Sequence, residues 1–137
     1  MWITTDKHSM YNMNILAIDF GTKNIGLAWT DTGMGMVLPY GRLENKDINK
    51  LVKLIKDDGI DKVVMGLPMG LNGKENVNTN RVHAFAEKLG ALISVPIEFA
   101  NEMFSSQMGD RMGEGVSRDE KAAMVILEDY IHKRKTP

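Results

Sequence analysis

Three acidic residues of this chain could together bind a metal ion, and the first of them is Asp19. The residues before it, 15–18, form an apolar run typical of a buried strand, where an unpartnered carboxylate is costly. Such an aspartate binds a cation, takes part in chemistry or caps the turn that follows it. The Gly-Thr turn after Asp19 is typical of a Mg²⁺ site in a nuclease or of a phosphate-binding loop in an ATPase. Gly21 and Gly26 are expected to supply the backbone freedom of this hairpin.

The second candidate, Asp119, lies near the start of the last predicted helix. Ala122 and Ala123, on the inward face of that helix, follow it by three and four residues, so Asp119 extends this face toward the sheet. Ser117 and Glu120 match a capping box, which leaves Asp119 available for another role. An aspartate at this position also complements the helix dipole without any catalytic role.

Glu102, the third candidate, follows a predicted strand at 95–100, and ligand sites of parallel sheets gather at such strand ends. A loop glutamate is usually solvated and nothing more. Three converging carboxylates, however, repel one another unless divalent cations hold them together. That arrangement is the one used in two-metal cleavage of phosphodiester bonds.

Composition limits which metal the chain can bind and which class of protein it can belong to. The 137 residues include no cysteine, and the three histidines lie far apart, so oxygen ligands and hence Mg²⁺, Mn²⁺ or Ca²⁺ are expected. The net charge of −1 gives no overall attraction to nucleic acid, which would have to be bound by local patches. No apolar run reaches membrane-spanning length and no signal sequence is visible, so we expect a cytoplasmic protein.

Hydrophobic patterning predicts the elements that must bring the acids together. We expect an apolar strand from Ile15 that ends at Asp19, a glycine turn, and a second apolar strand that runs back to Trp29. Further strands are expected at 36–43, 62–67 and 95–100, and helices at 46–58, from 78 or 79 onward, and at 117–133. Gly59 is expected to end the first helix; residues 68–78 and 103–116 are predicted to be irregular. This order predicts an α/β fold, a five-stranded mixed sheet with helices on both faces. We expect an N-terminal extension at 1–12 and a single domain at 13–137.

Over roughly residues 13–131, the chain resembles a known family. Three motifs carry the resemblance: Asp-Phe-Gly-Thr-Lys-Asn-Ile-Gly at 19–26, Gly-Leu-Pro at 66–68 with Asn-Gly at 72–73, and Asp-Glu-Lys-Ala-Ala-Met-Val-Ile-Leu at 119–127. They are similar to those of the YqgF family of RuvC-like nucleases, described as Holliday junction resolvases or pre-16S rRNA nucleases. The resemblance implies a ribonuclease H-like fold, with Asp19, Glu102 and Asp119 as the catalytic, metal-binding acids.

We also expect a set of residues to bind the substrate, a ribosomal RNA precursor or branched DNA. They are Gly21, Thr22, Lys23, Gly66, Leu67, Pro68, Asn72 and Arg81. Lys74 and the basic C-terminal tail are further candidate phosphate contacts. The chain departs from the family where Asn101-Glu102-Met103 replaces Asp-Glu-Arg and Ser105-Ser106 replaces two threonines. The glutamate is kept, but the planar phosphate-binding arginine is lost.

The leading hypothesis is therefore an endonuclease that depends on Mg²⁺ or Mn²⁺. Asp19 would bridge two metal ions, and Glu102 and Asp119 would complete their coordination. The alternative is a catalytically weak, ribosome-associated RNA-binding module that keeps the fold, which Met103 and the near-neutral charge favour. An actin-like ATPase or sugar kinase shares the Asp-x-Gly-Thr opening, but it needs two such domains and 137 residues supply one. The chain is expected to be a monomer or weak homodimer without membrane contact.

Overall fold

The elements follow in the predicted order, three strands and then alternating helices and strands. The computed structural model describes residues 12–68, 76–102 and 115–135, without the side chains of residues 101, 102, 134 and 135. The strands are β1 (Asn14–Phe20), β2 (Asn24–Asp31), β3 (Leu38–Glu44), β4 (Lys62–Pro68) and β5 (Ile97–Glu102). The helices, numbered here in chain order, are α1 (Ile48–Asp57), α2 (Val77–Gly90) and α3 (Arg118–Lys135).

The five strands form one mixed sheet in the order β3-β2-β1-β4-β5. Antiparallel pairing joins β1 to β2 and β2 to β3, whereas β1–β4 and β4–β5 are parallel. The predicted sheet is confirmed, and Asp19 lies near the carboxyl end of its central strand. The carboxyl ends of three parallel strands therefore meet beside Asp19.

Alternation along the strands divides the core into two layers, one on each face of the sheet. Leu16 and Ile18 face the layer under α1 and α2, whereas Ile15 and Ala17 face the layer under α3. The α1 and α2 layer is sealed by apolar side chains from both helices, namely Leu51, Ile55, Val82, Phe85 and Leu89. The α3 layer is sealed by Ala123, Met124, Ile126, Leu127 and Tyr130. Helices cover both faces, as predicted, and the alternation directs Asp19 toward α3.

The helix ends differ from the predicted ones by one to two residues. Gly59 follows α1 with φ 65°, which confirms it as the glycine after the helix end. The second helix begins earlier than predicted, at Val77, because Asn76 accepts hydrogen bonds from the N–H groups of Asn78 and Thr79 and closes a capping box. The Thr79 hydroxyl donates to the Pro68 carbonyl at 2.6 Å, so the start of α2 is tied to the end of β4.

Within the described ranges, no helix is both long and apolar enough to cross a membrane. The first eleven residues of the predicted extension, residues 69–75 of the predicted loop and most of the predicted irregular segment, 103–114, lie outside those ranges.

Candidate functional site

The end of the β1–β2 hairpin holds Asp19 in a close-packed setting. Asp19 lies opposite Gly26 in the β1–β2 register. The Gly21 N–H donates to the Asn24 carbonyl at 2.9 Å, and a Cβ at Gly21 would lie 2.7 Å from that same oxygen. Neither Gly21 nor Gly26 has a positive φ. The expectation that these glycines supply backbone freedom is therefore wrong, because their small size is what the hairpin requires.

The first turn of α3 lies directly on Gly26. A Cβ at Gly26 would come within 1.9 Å of the Asp119 carbonyl oxygen and 2.9 Å of the Asp119 Cβ. Only glycine leaves room for the helix backbone at this point of β2. Because Gly26 is the cross-strand neighbour of Asp19 and both positions face α3, the two aspartates lie side by side at one edge of the sheet.

Glu120 holds the start of α3 in this position. Its carboxylate accepts from the Ser117 N–H and hydroxyl, at 3.2 and 2.9 Å, while the Glu120 N–H donates to the Ser117 hydroxyl. The predicted capping box is thus confirmed, and it extends to the sheet, since the Gly41 N–H donates to the other Glu120 oxygen at 2.8 Å. Burial raises the pKa of the Glu120 carboxyl, but these hydrogen bonds and the charge of Arg42 outweigh burial and lower it overall.

A bulge in β3 presents the Gly41 N–H to the helix. Gly26 pairs with Arg42 and Ala28 pairs with Pro39, so β3 carries one extra residue between these two positions. Gly41 has φ 99°, a left-handed conformation that glycine adopts without strain. This bulge is a long-range feature that the local hydrophobic pattern of residues 36–43 did not reveal.

Two further residues of the site were missed by sequence reasoning. Arg42 places its Nη1 atom 3.6 Å from the Asp119 Oδ2 atom. Asn45 donates from its side chain to the carbonyls of Gly21 and Thr22, at 3.1 and 2.7 Å, and so fixes the turn after Asp19. Both residues belong to β3 or the segment after it, and only the sheet register brings them to the acids.

A cleft of about 260 Å³ opens beside Asp19, between the hairpin and the start of α2. Five predicted site residues line it together with Phe20 and Asn78, namely Asp19, Gly21, Thr22, Pro68 and Arg81. The Arg81 side chain is exposed, so its guanidinium can reach a ligand in the cleft. A larger cavity of about 410 Å³ lies between α1 and the segment after α2, but no carboxylate lines it, so it does not serve this site.

Three other predicted substrate residues, Lys23, Gly66 and Leu67, do not line this cleft. Lys23 is exposed on the hairpin turn, Gly66 is buried within β4, and the Leu67 side chain packs in the α1 and α2 layer. Asn72 and Lys74 lie outside the described residues. Leu67 therefore contributes apolar packing, and only its backbone is near the strand end.

Glu102 ends β5 in register with Pro68, two residues beyond Ala100, which packs against the α3 layer. Its backbone thus belongs to the same sheet edge as Asp19, whereas its side chain is outside the described part of the chain. Within that described part, no group of three His, Cys, Asp or Glu side chains that could hold a metal ion is found. Asp19 and Asp119 alone provide an oxygen donor set that suits Mg²⁺ or Mn²⁺.

The fold and this sheet edge define a class of protein, a ribonuclease H-like domain with acids beside the central strand. Two solved structures share the fold across nearly the whole chain. One is Thermus thermophilus RuvC in complex with a Holliday junction substrate, with a TM-score of 0.59, 12% identity and coverage of 90% of this chain and 96% of that one. The other is the fowlpox virus resolvase with Holliday junction DNA, with a TM-score of 0.58, 11% identity and coverage of 89% and 99%.

Sequence comparison identifies the family within that class. The model described as RuvX, Holliday junction resolvase, matches residues 13–133. A Dictyoglomus turgidum protein named "Putative pre-16S rRNA nuclease" is 34% identical over 132 residues, covering 87% of this chain and 94% of its own. A protein of the same name from Maridesulfovibrio salexigens is 31% identical, covering 87% and 98%. The chain belongs to the RuvX family, the same family that the three sequence motifs indicated.

Proposed function

We propose that this member of a nuclease family is an endonuclease that hydrolyses phosphodiester bonds with the help of Mg²⁺ or Mn²⁺. One observation carries the proposal. The backbone of Asp119 lies against Gly26, the cross-strand neighbour of Asp19, so two carboxylates from distant parts of the chain share one sheet edge. The β3 bulge and the Glu120 contacts keep them there although like charges repel.

Asp19, Asp119 and Glu102 are the residues that would hold the metal. When bound, divalent cations would polarise the phosphate and neutralise the charge of the leaving oxygen. Without a cation, the negative charge of the aspartates repels a phosphate from this edge, which makes the binding of substrate depend on the metal. We assign the metal-binding role of Glu102 on its position at the end of β5.

The chain's own cations would orient the nucleic acid. Arg81 lines the cleft next to Asp19, and Lys23 is exposed at the tip of the same hairpin. A guanidinium binds a phosphate through two parallel hydrogen bonds, and an ammonium binds it as a point charge. These groups contact the backbone of the nucleic acid and not its bases, so we expect little dependence on sequence.

We propose a structured RNA or DNA as the substrate, either the 5′ end of pre-16S rRNA or a Holliday junction. The two relatives are named as nucleases of pre-16S rRNA, whereas the family description and both structural neighbours refer to Holliday junctions. Association with the ribosome and a cytoplasmic location remain predictions. We also still predict a monomer or weak homodimer, with an N-terminal extension at 1–12 before a single domain at 13–137.

A panel of substrates tests this proposal. It contains a four-way junction, a flap, a single-stranded RNA and a ribosomal precursor end, each incubated with Mg²⁺ or Mn²⁺. We expect metal-dependent cleavage of at least one of them and none with Asp19→Asn. Binding should weaken steeply as salt is raised, because phosphate contacts release counterions.

Two outcomes would contradict parts of this assignment. Binding without cleavage by the parent would favour the catalytically weak RNA-binding module over the nuclease. Affinity that does not change with salt would exclude nucleic acid as the ligand.

A further inference from the structure

Strand pairing in the sheet, and not proximity in the chain, brings Arg42 close to the two aspartates. It pairs with Gly26 across β2 and β3, and Gly26 pairs with Asp19 across β1 and β2. The three positions form one row across the sheet, and the middle one has no side chain. Nothing on β2 therefore separates the Arg42 guanidinium from Asp119, whose backbone fills the space over Gly26.

The contact between Arg42 and Asp119 is loose. The Nη1 to Oδ2 distance is 3.6 Å, longer than a hydrogen bond, and the pair is not bidentate. The side chains are 54% and 32% exposed, and ion pairs of this kind contribute little to stability. Either partner can therefore exchange this contact for a stronger one at small cost.

We propose that Arg42 is the counterion of Asp119 only while the carboxylates hold no divalent cation, and that it contacts a phosphate of the nucleic acid once they do. The inference rests on the proposed function, since it requires a metal at Asp19 and Asp119. A divalent cation on the carboxylate repels the guanidinium and takes its acceptor. The planar guanidinium then matches the geometry of a phosphate at the same edge.

Metal binding in the absence of nucleic acid gives the first readout. Calorimetric titration with Mn²⁺ compares the parent with Arg42→Ala and with Lys53→Ala, a control that removes an exposed cation paired to Asp57 on α1. Because the metal no longer competes with a guanidinium, Arg42→Ala should bind Mn²⁺ about two- to fivefold more tightly, which is the range of an exposed ion pair. Lys53→Ala should match the parent.

Binding of nucleic acid gives the second readout, with the opposite sign. Fluorescence anisotropy with a short labelled RNA strand, in Ca²⁺ and with the strand verified intact afterwards, should show weaker binding by Arg42→Ala. The slope of log K against log salt should fall by about 0.7, the value for one phosphate contact on a single strand. Arg42→Lys keeps the charge without the planar fork, so its Mn²⁺ affinity should approach that of the parent while its RNA affinity stays intermediate.

Different results would overturn the proposed metal site and the proposed role of Arg42. Parent protein without saturable Mn²⁺ binding, or with binding that Asp19→Asn leaves intact, would overturn the metal site and this inference with it. A parent that binds Mn²⁺ normally, together with an Arg42→Ala variant that matches Lys53→Ala in both titrations, would overturn the role of Arg42 alone. Mn²⁺ affinity that falls in Arg42→Ala would also overturn it.

Discussion

Two charged clusters lie beneath α3, one toward each end of the sheet, and they are built differently. The inner cluster joins Lys62, Glu98 and Tyr130. Lys62 Nζ lies 2.5 Å from the Glu98 carboxylate and donates to the Tyr130 hydroxyl at 3.1 Å, and that hydroxyl donates to Glu98 at 2.9 Å. Lys62 and Tyr130 are buried. Each member of this cluster contacts both of the others.

The outer cluster contains Asp19, Asp119 and Arg42, and its members lie at a more open edge. Lys62 pairs with Ile15, four residues before Asp19, so the two clusters are about 13 Å apart along the sheet. The ion pair between Arg42 and Asp119 spans 3.6 Å, and its side chains are 54% and 32% exposed. A closed network leaves a ligand no group to bind, whereas the loosely paired carboxylate of Asp119 can accept a cation. The difference separates a structural cluster from the candidate site.

The largest expected effect comes from Gly26→Ala, which forces the outer cluster apart. The new Cβ would lie 1.9 Å from the Asp119 carbonyl, so α3 must move away from β2. We expect a loss of about 2–3 kcal/mol in the free energy of unfolding and loss of Mg²⁺-dependent stabilisation. Urea unfolding with and without Mg²⁺ measures both. Gly90→Ala is the control, since its Cβ would meet only Ile97 Cδ1 at 3.7 Å. A Gly26→Ala protein as stable as the parent would contradict the packing described for Asp119.

Breaking the inner cluster should affect stability without affecting the metal. Glu98→Ala removes the carboxylate beside the buried Lys62 ammonium, which keeps its hydrogen bond to the Tyr130 hydroxyl. Since the Glu98 side chain is 44% exposed, we expect a loss of about 1–2 kcal/mol, less than for a fully buried pair. The rise in thermal midpoint on adding Mg²⁺ should equal that of the parent. An altered Mg²⁺ response would show that the two clusters are coupled through α3.

Asp19→Asn should have the opposite effect on stability. Without metal it removes one of two neighbouring negative charges, so the variant should be more stable than the parent by about 1 kcal/mol. Mg²⁺ should stabilise the parent in proportion to its binding and the variant much less. Thermal melts of both proteins, with and without Mg²⁺, decide the matter. If the variant is less stable than the parent and Mg²⁺ does not stabilise the parent, Asp19 has only a structural role in the turn.

The smallest effect concerns pH and tests how the outer cluster is held in place. The pKa of Glu120 is lowered in the folded protein, so its ionised form stabilises the fold above its unfolded pKa of about 4.3. This contribution is lost as the pH falls through the folded pKa. Thermal midpoints of Glu120→Gln should therefore fall less than those of the parent below about pH 4.3. Glu128→Gln, an exposed change on the same helix, serves as the control. Parallel curves for parent and Glu120→Gln would contradict the role of the Gly41 contact.

The local pattern of the sequence was sufficient for the order and type of the elements. Alternating and continuous apolar runs marked the strands, and Gly59 and the Ser117–Glu120 capping box marked two helix ends correctly. These signals are local, because they depend on residues within one turn or one strand. The start of α2 was misplaced because Asn76, and not Asn78 or Thr79, supplies the cap.

The sequence by itself also indicated Asp19, Asp119 and Glu102 as candidate metal-binding acids, since a carboxylate after an apolar strand or on an inward helix face needs a partner. Only the tertiary structure decided how Asp119 reaches Asp19. A bulge in β3, a glycine at position 26 that leaves room for a helix backbone, and the long-range contact from Gly41 to Glu120 create that approach. Arg42 and Asn45 join the site for the same reason. Register across a sheet pairs residues far apart in the chain, and no local pattern encodes which residues those are.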